Sequence, residues 1–146
     1  MFRPANLGFD AAGRLVLFDF GLAKVLPRSP RPSSTEPFAM TGGTGSRRYM
    51  APEVALHRAY DERCDVYSLG LLLWEIFALE RPFDGFDVSD MNSLVVKKGQ
   101  RPTIDGDWPE ATADLVRHCW SEDPKTRPSA DDAVRTLDHE LALASL

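Results

Sequence analysis

A long apolar segment in the middle of the chain dominates the pattern of hydrophobic and polar positions. Residues 66–79 read VYSLGLLLWEIFAL and contain a single charged side chain, that of Glu75. A segment that is apolar on nearly every face of a helix predicts a central helix buried in the core. Asp65 directly precedes it and is a preferred N-cap residue type, and Arg81-Pro82 is expected to end the helix. The segment is shorter than the roughly 20 residues that cross a bilayer, so no membrane span is predicted.

A β-hairpin is predicted near the start of the sequence. Residues 7–9 and 14–18 are short β-prone runs, and residues 10–13 (DAAG) between them have the composition of a turn. The chain after the hairpin is different. Residues 27–38 (PRSPRPSSTEPF) are rich in proline, which fixes φ and removes amide donors, and the glycine-rich residues 41–45 follow. This part is expected to be an irregular loop.

Only helices are predicted after this loop. The expected segments, besides the central helix, are residues 51–56, 87–98 and 109–120 and a last helix from 129 onward. Ser129 and Asp132 have the spacing of a capping box with aspartate in place of glutamate. In the helix at 109–120, the side chains expected to face inward are Leu115, Val116 and Cys119. The chain is therefore predicted to be mainly α-helical, with a short β-hairpin.

Composition narrows the classes of function. The chain has 146 residues, of which 43% are apolar and 27% charged, as expected for one soluble domain. Its net charge of -5 argues against a nucleic-acid-binding protein, which normally has a basic face. Cys64 and Cys119 match no metal spacing or disulfide framework, and residues 1–10 do not have the pattern of a signal peptide. A reducing, intracellular location, the cytoplasm, is the simplest interpretation.

Five short stretches carry the candidate chemistry. In chain order they are RPANLGF at 3–9, DFG at 19–21, SRRYMAPEV at 46–54, DVYSLGLLLWEI at 65–76 and CWSEDPKTRPS at 119–129. A lone Asp-Phe-Gly tripeptide is a weak signal, but this order and spacing resemble the C-terminal lobe of eukaryotic protein kinases of the serine/threonine type. The family fold is α+β. The resemblance implies a catalytic-loop end and hairpin at 1–18, an activation segment at 19–53 and a helical subdomain at 54–146.

The resemblance implies a magnesium site for Mg-ATP. Asp19 matches the metal-binding aspartate of the family, and Asn6 matches the asparagine that supplies a second metal contact. Carboxylate and amide oxygens are the hard ligands that Mg²⁺ prefers, and the metal neutralises phosphate charge during phosphoryl transfer. The alternative is that Asp19 caps a turn and Asn6 bonds local backbone.

The rest of the catalytic loop departs from the family pattern. Arg3 stands where the family has a lysine that contacts phosphate, and the catalytic aspartate position falls on Met1, whose thioether cannot accept a hydroxyl proton. The glycine-rich loop and strand lysine of the N-terminal lobe have no match in these residues. We therefore expect a partial kinase sequence that is inactive by itself and that acts on a protein substrate when complete. The alternative is a catalytically inactive lobe that serves as a binding or scaffold module.

The activation segment is recognised by its two ends. Phe20 is interpreted both as a core aromatic and as the family's mobile phenylalanine, and Gly21 is expected to allow a sharp bend. Ala51-Pro52-Glu53 matches the motif that closes the segment, and Arg127 matches the distant arginine that pairs with this glutamate. The alternative is two separate solvated charges.

Two further roles follow from the resemblance. Asp65 matches an aspartate that receives hydrogen bonds from the catalytic-loop backbone, or it is an N-cap and nothing more. Ser46 occupies the position where serine/threonine kinases usually have threonine in the substrate-facing loop, and residues 45–50 are similar to the tyrosine-kinase-like group. The candidate phosphosites are Ser29, Ser33, Ser34, Thr35, Thr41 and Thr44. A solvated loop without regulation is the alternative.

Overall fold

The protein is described by a computed structural model that covers residues 1–24 and 47–145. The strands are β1 (Leu7–Phe9) and β2 (Leu15–Leu17), and short 3₁₀ helices lie at Pro4–Asn6, Arg47–Tyr49 and Pro124–Thr126. The longer helical elements are α1 (Pro52–Ala55), α2 (Arg63–Ala78), α3 (Val88–Asp90, continued by a π-helix at Met91–Val96), α4 (Glu110–Cys119) and α5 (Ala130–Ala144). The predicted architecture, mainly helical with one hairpin, is confirmed. Among the described residues, every helix is too short or too polar to cross a membrane.

The N-terminal hairpin forms as predicted. Strands β1 and β2 are antiparallel, with Leu7 opposite Leu17 and Phe9 opposite Leu15. The Asp10 carboxylate accepts hydrogen bonds from the amides of Ala12 and Arg14, both at 2.9 Å, which closes the turn. These bonds, first of all the one from the Arg14 amide, lower the pKa of Asp10. Gly13 has a left-handed φ of 76°, which glycine adopts without strain.

Helix α2 forms the centre of the molecule. Val66, Tyr67 and Leu71 are among its buried side chains, with Tyr67 and Leu71 fully inaccessible to solvent. Its closest neighbour is α4, and the two helices meet at Gly70, where an added Cβ atom would lie 2.7 Å from Cys119 Cβ. As predicted, Leu115, Val116 and Cys119 of α4 face this core.

The ends of α2 differ from the prediction. The helix begins at Arg63, so Asp65 lies in its first turn, and the prediction that Asp65 is the N-cap is wrong. The Arg63 amide donates to the Asp61 carboxylate at 3.0 Å, which satisfies one of the amides at the helix start. At the other end, Leu79 adopts a left-handed φ of 53° with its side chain 88% exposed, so the helix ends before Arg81-Pro82.

The remaining helices lie where the sequence predicts them. One of them continues as a π-helix where an α-helix was predicted. Asp87 and Asp90 form a capping box at the start of α3, but the helix then widens into a π-helix over Met91–Val96. The predicted capping box of α5 is confirmed, because the Ser129 hydroxyl accepts from the Asp132 amide and the Asp132 carboxylate accepts from the Ser129 amide. The Ser129 hydroxyl also donates to Asp132 Oδ2 at 2.6 Å, and this bond is the main cause of the lowered pKa of Asp132.

Candidate active site

One cavity lies where the hairpin meets the start of α2. Its volume is about 330 Å³, and it is lined by residues from the N-terminal segment, the end of β2, the segment around Met50 and the first turns of α2. Asn6 and Asp19, the two predicted metal ligands, both line it. The structure therefore brings together two oxygen donors that are separated in the sequence by the whole hairpin.

Asn6 is held in place by the hairpin. Asn6 is the last residue of the first 3₁₀ helix and is 7% exposed. Its carbonyl accepts the Phe18 amide at 2.8 Å, which ties it to the end of β2, and its side-chain amide donates to Met1 O at 3.4 Å. The predicted alternative, a bond to local backbone, is thus also present. That bond uses the amide nitrogen and leaves the oxygen Oδ1 for another partner.

Asp19 follows β2 in an unusual backbone conformation. Its φ is 63°, a left-handed value that costs an L-residue free energy and that aspartate adopts more often than most. Its side chain is 57% exposed and is directed into the cavity. The Gly21 amide lies 3.4 Å from Asp19 Oδ1, which is a weak turn contact. Strained residues of this kind concentrate at functional sites, so the conformation supports a role beyond capping the turn.

The guanidinium of Arg3 lies between these two side chains. Arg3 Nε donates to Asn6 Oδ1 at 3.0 Å, and Arg3 Nη2 is 3.8 Å from Asp19 Oδ2. Arg3 was predicted to contact phosphate, and in this structure it contacts both predicted metal ligands. The arginine therefore balances the negative charge that Asp19 brings to the cavity.

Two expectations about the residues after Asp19 need correction. Phe20 is 64% exposed, so the interpretation of Phe20 as a core aromatic is wrong. The chain does turn here, because the Ala23 amide donates to Phe20 O at 2.9 Å. However, the left-handed residue at this bend is Asp19 and not Gly21.

Asp65 faces the same cavity from α2. The amino nitrogen of Met1 lies 2.8 Å from Asp65 Oδ1, so the carboxylate holds the main chain that leads into the Arg3 to Asn6 segment. Asp65 is thus in contact with the backbone of this segment although it is not an N-cap. The neighbouring Cys64 lines the cavity as well, and burial raises the pKa of its thiol to about 12. The thiol is therefore protonated and a poor nucleophile at neutral pH.

Glu53 and Arg127 form a buried, bidentate ion pair. Arg127 Nη1 is 2.7 Å from Glu53 Oε1, and Arg127 Nη2 is 3.0 Å from Glu53 Oε2. The arginine also donates to the carbonyl oxygens of Arg63 and Ser121 at 3.0 Å each. The alternative of two separate solvated charges is wrong, because the Arg127 side chain is inaccessible and the Glu53 side chain is 8% exposed.

The segment before α1 is fixed by contacts that the sequence did not reveal. Tyr49 Oη donates to Glu75 Oε2 at 2.6 Å, and its carbonyl accepts from the Ser68 hydroxyl at 2.8 Å. Burial, followed by the Glu75 carboxylate, raises the pKa of Tyr49. Arg48 donates to the carbonyl oxygens of Pro82 and Phe83. The single acid in an apolar helix was the available signal for Glu75, since a partly buried carboxylate needs a partner.

The other predicted sites of the activation segment lie outside the described residues. They are Ser46 and the candidate phosphosites Ser29, Ser33, Ser34, Thr35, Thr41 and Thr44. Within residues 1–24 and 47–145, no group of three or more histidine, cysteine, aspartate or glutamate side chains is placed to bind a metal. A metal site in this part of the chain would therefore depend on donors such as the Asn6 amide oxygen together with the Asp19 carboxylate.

The sequence of this chain is similar to a known protein family and to several characterised proteins. The family model described as protein kinase domain matches residues 2–138. The chain is similar to the serine/threonine-protein kinase STY17 of Arabidopsis thaliana (35% identity over 136 residues) and to the dual specificity protein kinase shkA of Dictyostelium discoideum (34% over 137). It is also similar to mitogen-activated protein kinase kinase kinase 7 of Homo sapiens (34% over 139). The matches cover 93%, 93% and 94% of the chain but only 22%, 25% and 21% of these relatives.

Proposed function

This chain belongs to the eukaryotic protein kinase family as part of a kinase domain, and from that membership we propose that it carries the magnesium-binding half of a protein serine/threonine kinase. The observation that carries the proposal is the shared cavity of Asn6 and Asp19. The complete protein would transfer the γ-phosphoryl group of ATP to hydroxyl groups of a protein substrate. Residues 1–18, 19–53 and 54–146 would then be the catalytic-loop end with its hairpin, the activation segment and the helical subdomain.

The donors in the cavity fit Mg²⁺. An amide oxygen and a carboxylate are hard ligands, and Mg²⁺ in kinases is commonly held by one or two protein groups, with water and phosphate oxygens completing its coordination. Bound there, the metal would neutralise charge on the ATP phosphates. The chain's own contribution is to hold the donors: the hairpin fixes Asn6 through the Phe18 amide, and the left-handed backbone directs Asp19 into the cavity.

The other proposed site residues hold the loops around the metal. Asp65 fixes the main chain before Arg3, while Glu53 and Arg127 anchor the end of the activation segment to the helices. In the complete kinase, Arg3 would contact a phosphate oxygen, because a guanidinium binds phosphate through paired hydrogen bonds. None of these groups removes a proton from the substrate hydroxyl. Met1 stands at the position of that base, so the chain by itself is expected to be inactive.

Serine/threonine specificity is proposed from sequence and from relatives. The Ser46 position and the similarity to STY17 favour it, whereas the name of shkA leaves transfer to tyrosine as the alternative that an experiment must test. The test is phosphotransfer from radiolabelled ATP by the complete reading frame that contains these residues, followed by phosphoamino acid analysis. Label on serine or threonine supports the proposal, and label on tyrosine alone contradicts the specificity.

Asp19→Asn is the critical variant in this assay. It removes the charge that holds the metal, and we expect the rate to fall at least about 100-fold, the scale of losing one preorganised electrostatic contact. Asp114→Asn is the matched control, because Asp114 forms an exposed pair with Arg117 on α4 and does not line the cavity. Equal rates for wild type and Asp19→Asn would contradict the proposed role of Asp19.

A catalytically inactive binding module is the second candidate. The exposed apolar side chains of the hairpin, Phe9 and Leu15, favour it, because exposed apolar surface can bind a partner. The two candidates differ in the phosphotransfer assay. Two results together would support the binding module. The complete reading frame would encode no aspartate at the position of the catalytic base, and its product would transfer no phosphoryl group to any protein.

A further inference from the structure

Arg3 occupies the space between the two proposed metal ligands, and we propose that its guanidinium is an internal cation that must leave Asn6 and Asp19 before Mg²⁺ binds. The inference rests on the proposed function, because it concerns the same pair of oxygens. It adds that the site is closed by one of the chain's own side chains. Metal binding would then be an exchange of one cation for another.

The contacts show that the arginine and a metal compete for the same atoms. Arg3 Nε uses Asn6 Oδ1 at 3.0 Å, and Nη2 is paired with Asp19 Oδ2 at 3.8 Å. Mg²⁺ binds oxygen at about 2.0–2.1 Å, closer than any hydrogen-bond donor, and it repels a neighbouring guanidinium. A metal bound to both oxygens would lie against the guanidinium that occupies the space between them, and like charges repel, so the guanidinium has to move.

The surroundings allow Arg3 to move while the donors stay. Asn6 is buried and tied to Phe18 and Met1, so its oxygen keeps its position. The Arg3 side chain is 33% exposed, so it can move outward into solvent. Once released, the guanidinium can pair with a phosphate oxygen that arrives with the metal, which reconciles the observed contacts with the proposed phosphate contact.

The planar shape of arginine is what permits the bridge. Nε and Nη2 are two donors on the same edge of one rigid, planar group, so one side chain reaches both oxygens. Lysine has a single ammonium on a flexible stem and lacks this rigid pair of donor nitrogens. Arg3→Lys therefore keeps the charge and weakens the bridge, while Arg3→Gln removes the charge altogether.

Metal affinity measured on the 146-residue chain tests the inference. Mn²⁺ is titrated into the purified protein and free Mn²⁺ is followed by electron paramagnetic resonance. We expect Arg3→Gln to bind Mn²⁺ about two- to fivefold more tightly than wild type, because a partly exposed ion pair shifts a competing equilibrium by that much. Arg3→Lys should fall between the two. Arg14→Gln, which breaks the Asp10 pair at the far end of the hairpin, should match wild type.

A second readout follows the arginine itself. The Nε–Hε signal of Arg3 in ¹⁵N-labelled wild type, assigned by its loss in Arg3→Lys, should shift when Mg²⁺ is added. The Arg14 signal should not move. Far-ultraviolet circular dichroism of each variant verifies that its helices are formed, and Arg3→Lys provides the test if Arg3→Gln does not fold.

The outcomes separate this inference from the proposed function. If Asp19→Asn abolishes Mn²⁺ binding but neither Arg3 variant strengthens it, the metal site stands and the internal-cation role of Arg3 is overturned. If Asp19→Asn leaves Mn²⁺ affinity unchanged, the metal site itself is wrong. Absence of binding in wild type and in both Arg3 variants also overturns the inference, because removing the competitor would then have exposed no site.

Discussion

The carboxylate of Glu53 and the guanidinium of Arg127 are both shielded from water, and this determines how the pair responds to substitution. Arg127→Met leaves a buried carboxylate without its partner, and we expect the free energy of unfolding in urea to fall by about 3–5 kcal/mol. The control is Arg135→Met, which breaks a solvent-exposed pair with Asp132 and should have a much smaller effect. Similar losses in the two variants would show that burial of the first pair is unimportant.

The two cysteines predict a pH dependence of stability. Burial raises the pKa of Cys64 and of Cys119 from 9.0 to about 12. Between these values the unfolded chain releases thiol protons that the folded chain retains, so stability is unaffected below pH 9 and falls as the pH rises toward 12. Each thiol contributes a slope of at most about 1.4 kcal/mol per pH unit.

Urea denaturation between pH 7.5 and pH 10.5 measures this slope. Cys119→Ala should have a shallower slope than wild type above pH 9, although its stability at pH 7.5 is lower because a buried side chain has been shortened. His118→Ala is the control, since His118 is exposed beside Cys119 and should leave the slope above pH 9 unchanged. Parallel curves for wild type and Cys119→Ala would contradict the prediction.

At the scale of single residues, the motifs predicted which side chains lie close together but not how they are arranged. Asn6 and Asp19 were predicted as a pair and do share a cavity, because the hairpin between them has a length and turn that the sequence predicts. The place of Arg3 depends on the rotamer of a long side chain, which residue types do not specify. The N-cap error at α2 arose because Asp61 and Asp65 are equally suitable in type, and the structure uses Asp61 to accept the Arg63 amide.

Among the secondary-structure elements, the contact of α2 with α4 depends on Gly70. A Cβ atom there would lie 2.7 Å from Cys119 Cβ and 3.4 Å from the Trp120 nitrogen, and both belong to the packed core. Gly70→Ala should therefore lower the free energy of unfolding by about 1–2 kcal/mol, even though alanine favours helix by about 1 kcal/mol. Thermal unfolding measures the change.

Gly106→Ala is the matched control for this substitution. An added Cβ at Gly106 meets no atom within 4 Å, so the expected effect is within about 0.5 kcal/mol. A stabilised Gly70→Ala variant would mean that α4 moves away from α2 at little cost, contrary to the close packing described above.

The positions of the helices and strands could largely be predicted from the sequence. The kind of helix could not always be predicted. The hairpin, α4 and α5 follow from local signals: a turn glycine at Gly13, an apolar face on α4 and the Ser129–Asp132 capping box. The π-helix at Met91–Val96 does not, because the spacing of its buried side chains, Met91 and Val95, also fits an α-helix.

Over the whole molecule, apolar side chains are unevenly distributed. One face of the hairpin carries Leu7, Phe9, Leu15 and Leu17, and Phe9 and Leu15 are 74% and 62% exposed. Exposed apolar patches promote association. Leu15→Gln should therefore reduce self-association of the 146-residue chain in sedimentation velocity, and it should reduce binding of an apolar dye, with little effect on stability.

Val134→Gln is the control for the patch. Val134 is 56% exposed on α5, similar to Leu15 but on another element. Replacing Val134 should leave self-association of the chain unchanged if copies of the chain associate through the hairpin face. A larger effect at Val134 than at Leu15 would locate that surface on α5 instead.

The bond between Glu53 and Arg127 also joins positions 74 residues apart in the sequence. Closing so long a loop is entropically costly, and the contact becomes favourable only after the intervening helices have assembled. We therefore expect this contact to be absent from the transition state for folding. The ion pair should therefore slow the unfolding of the native state and have little effect on the folding rate.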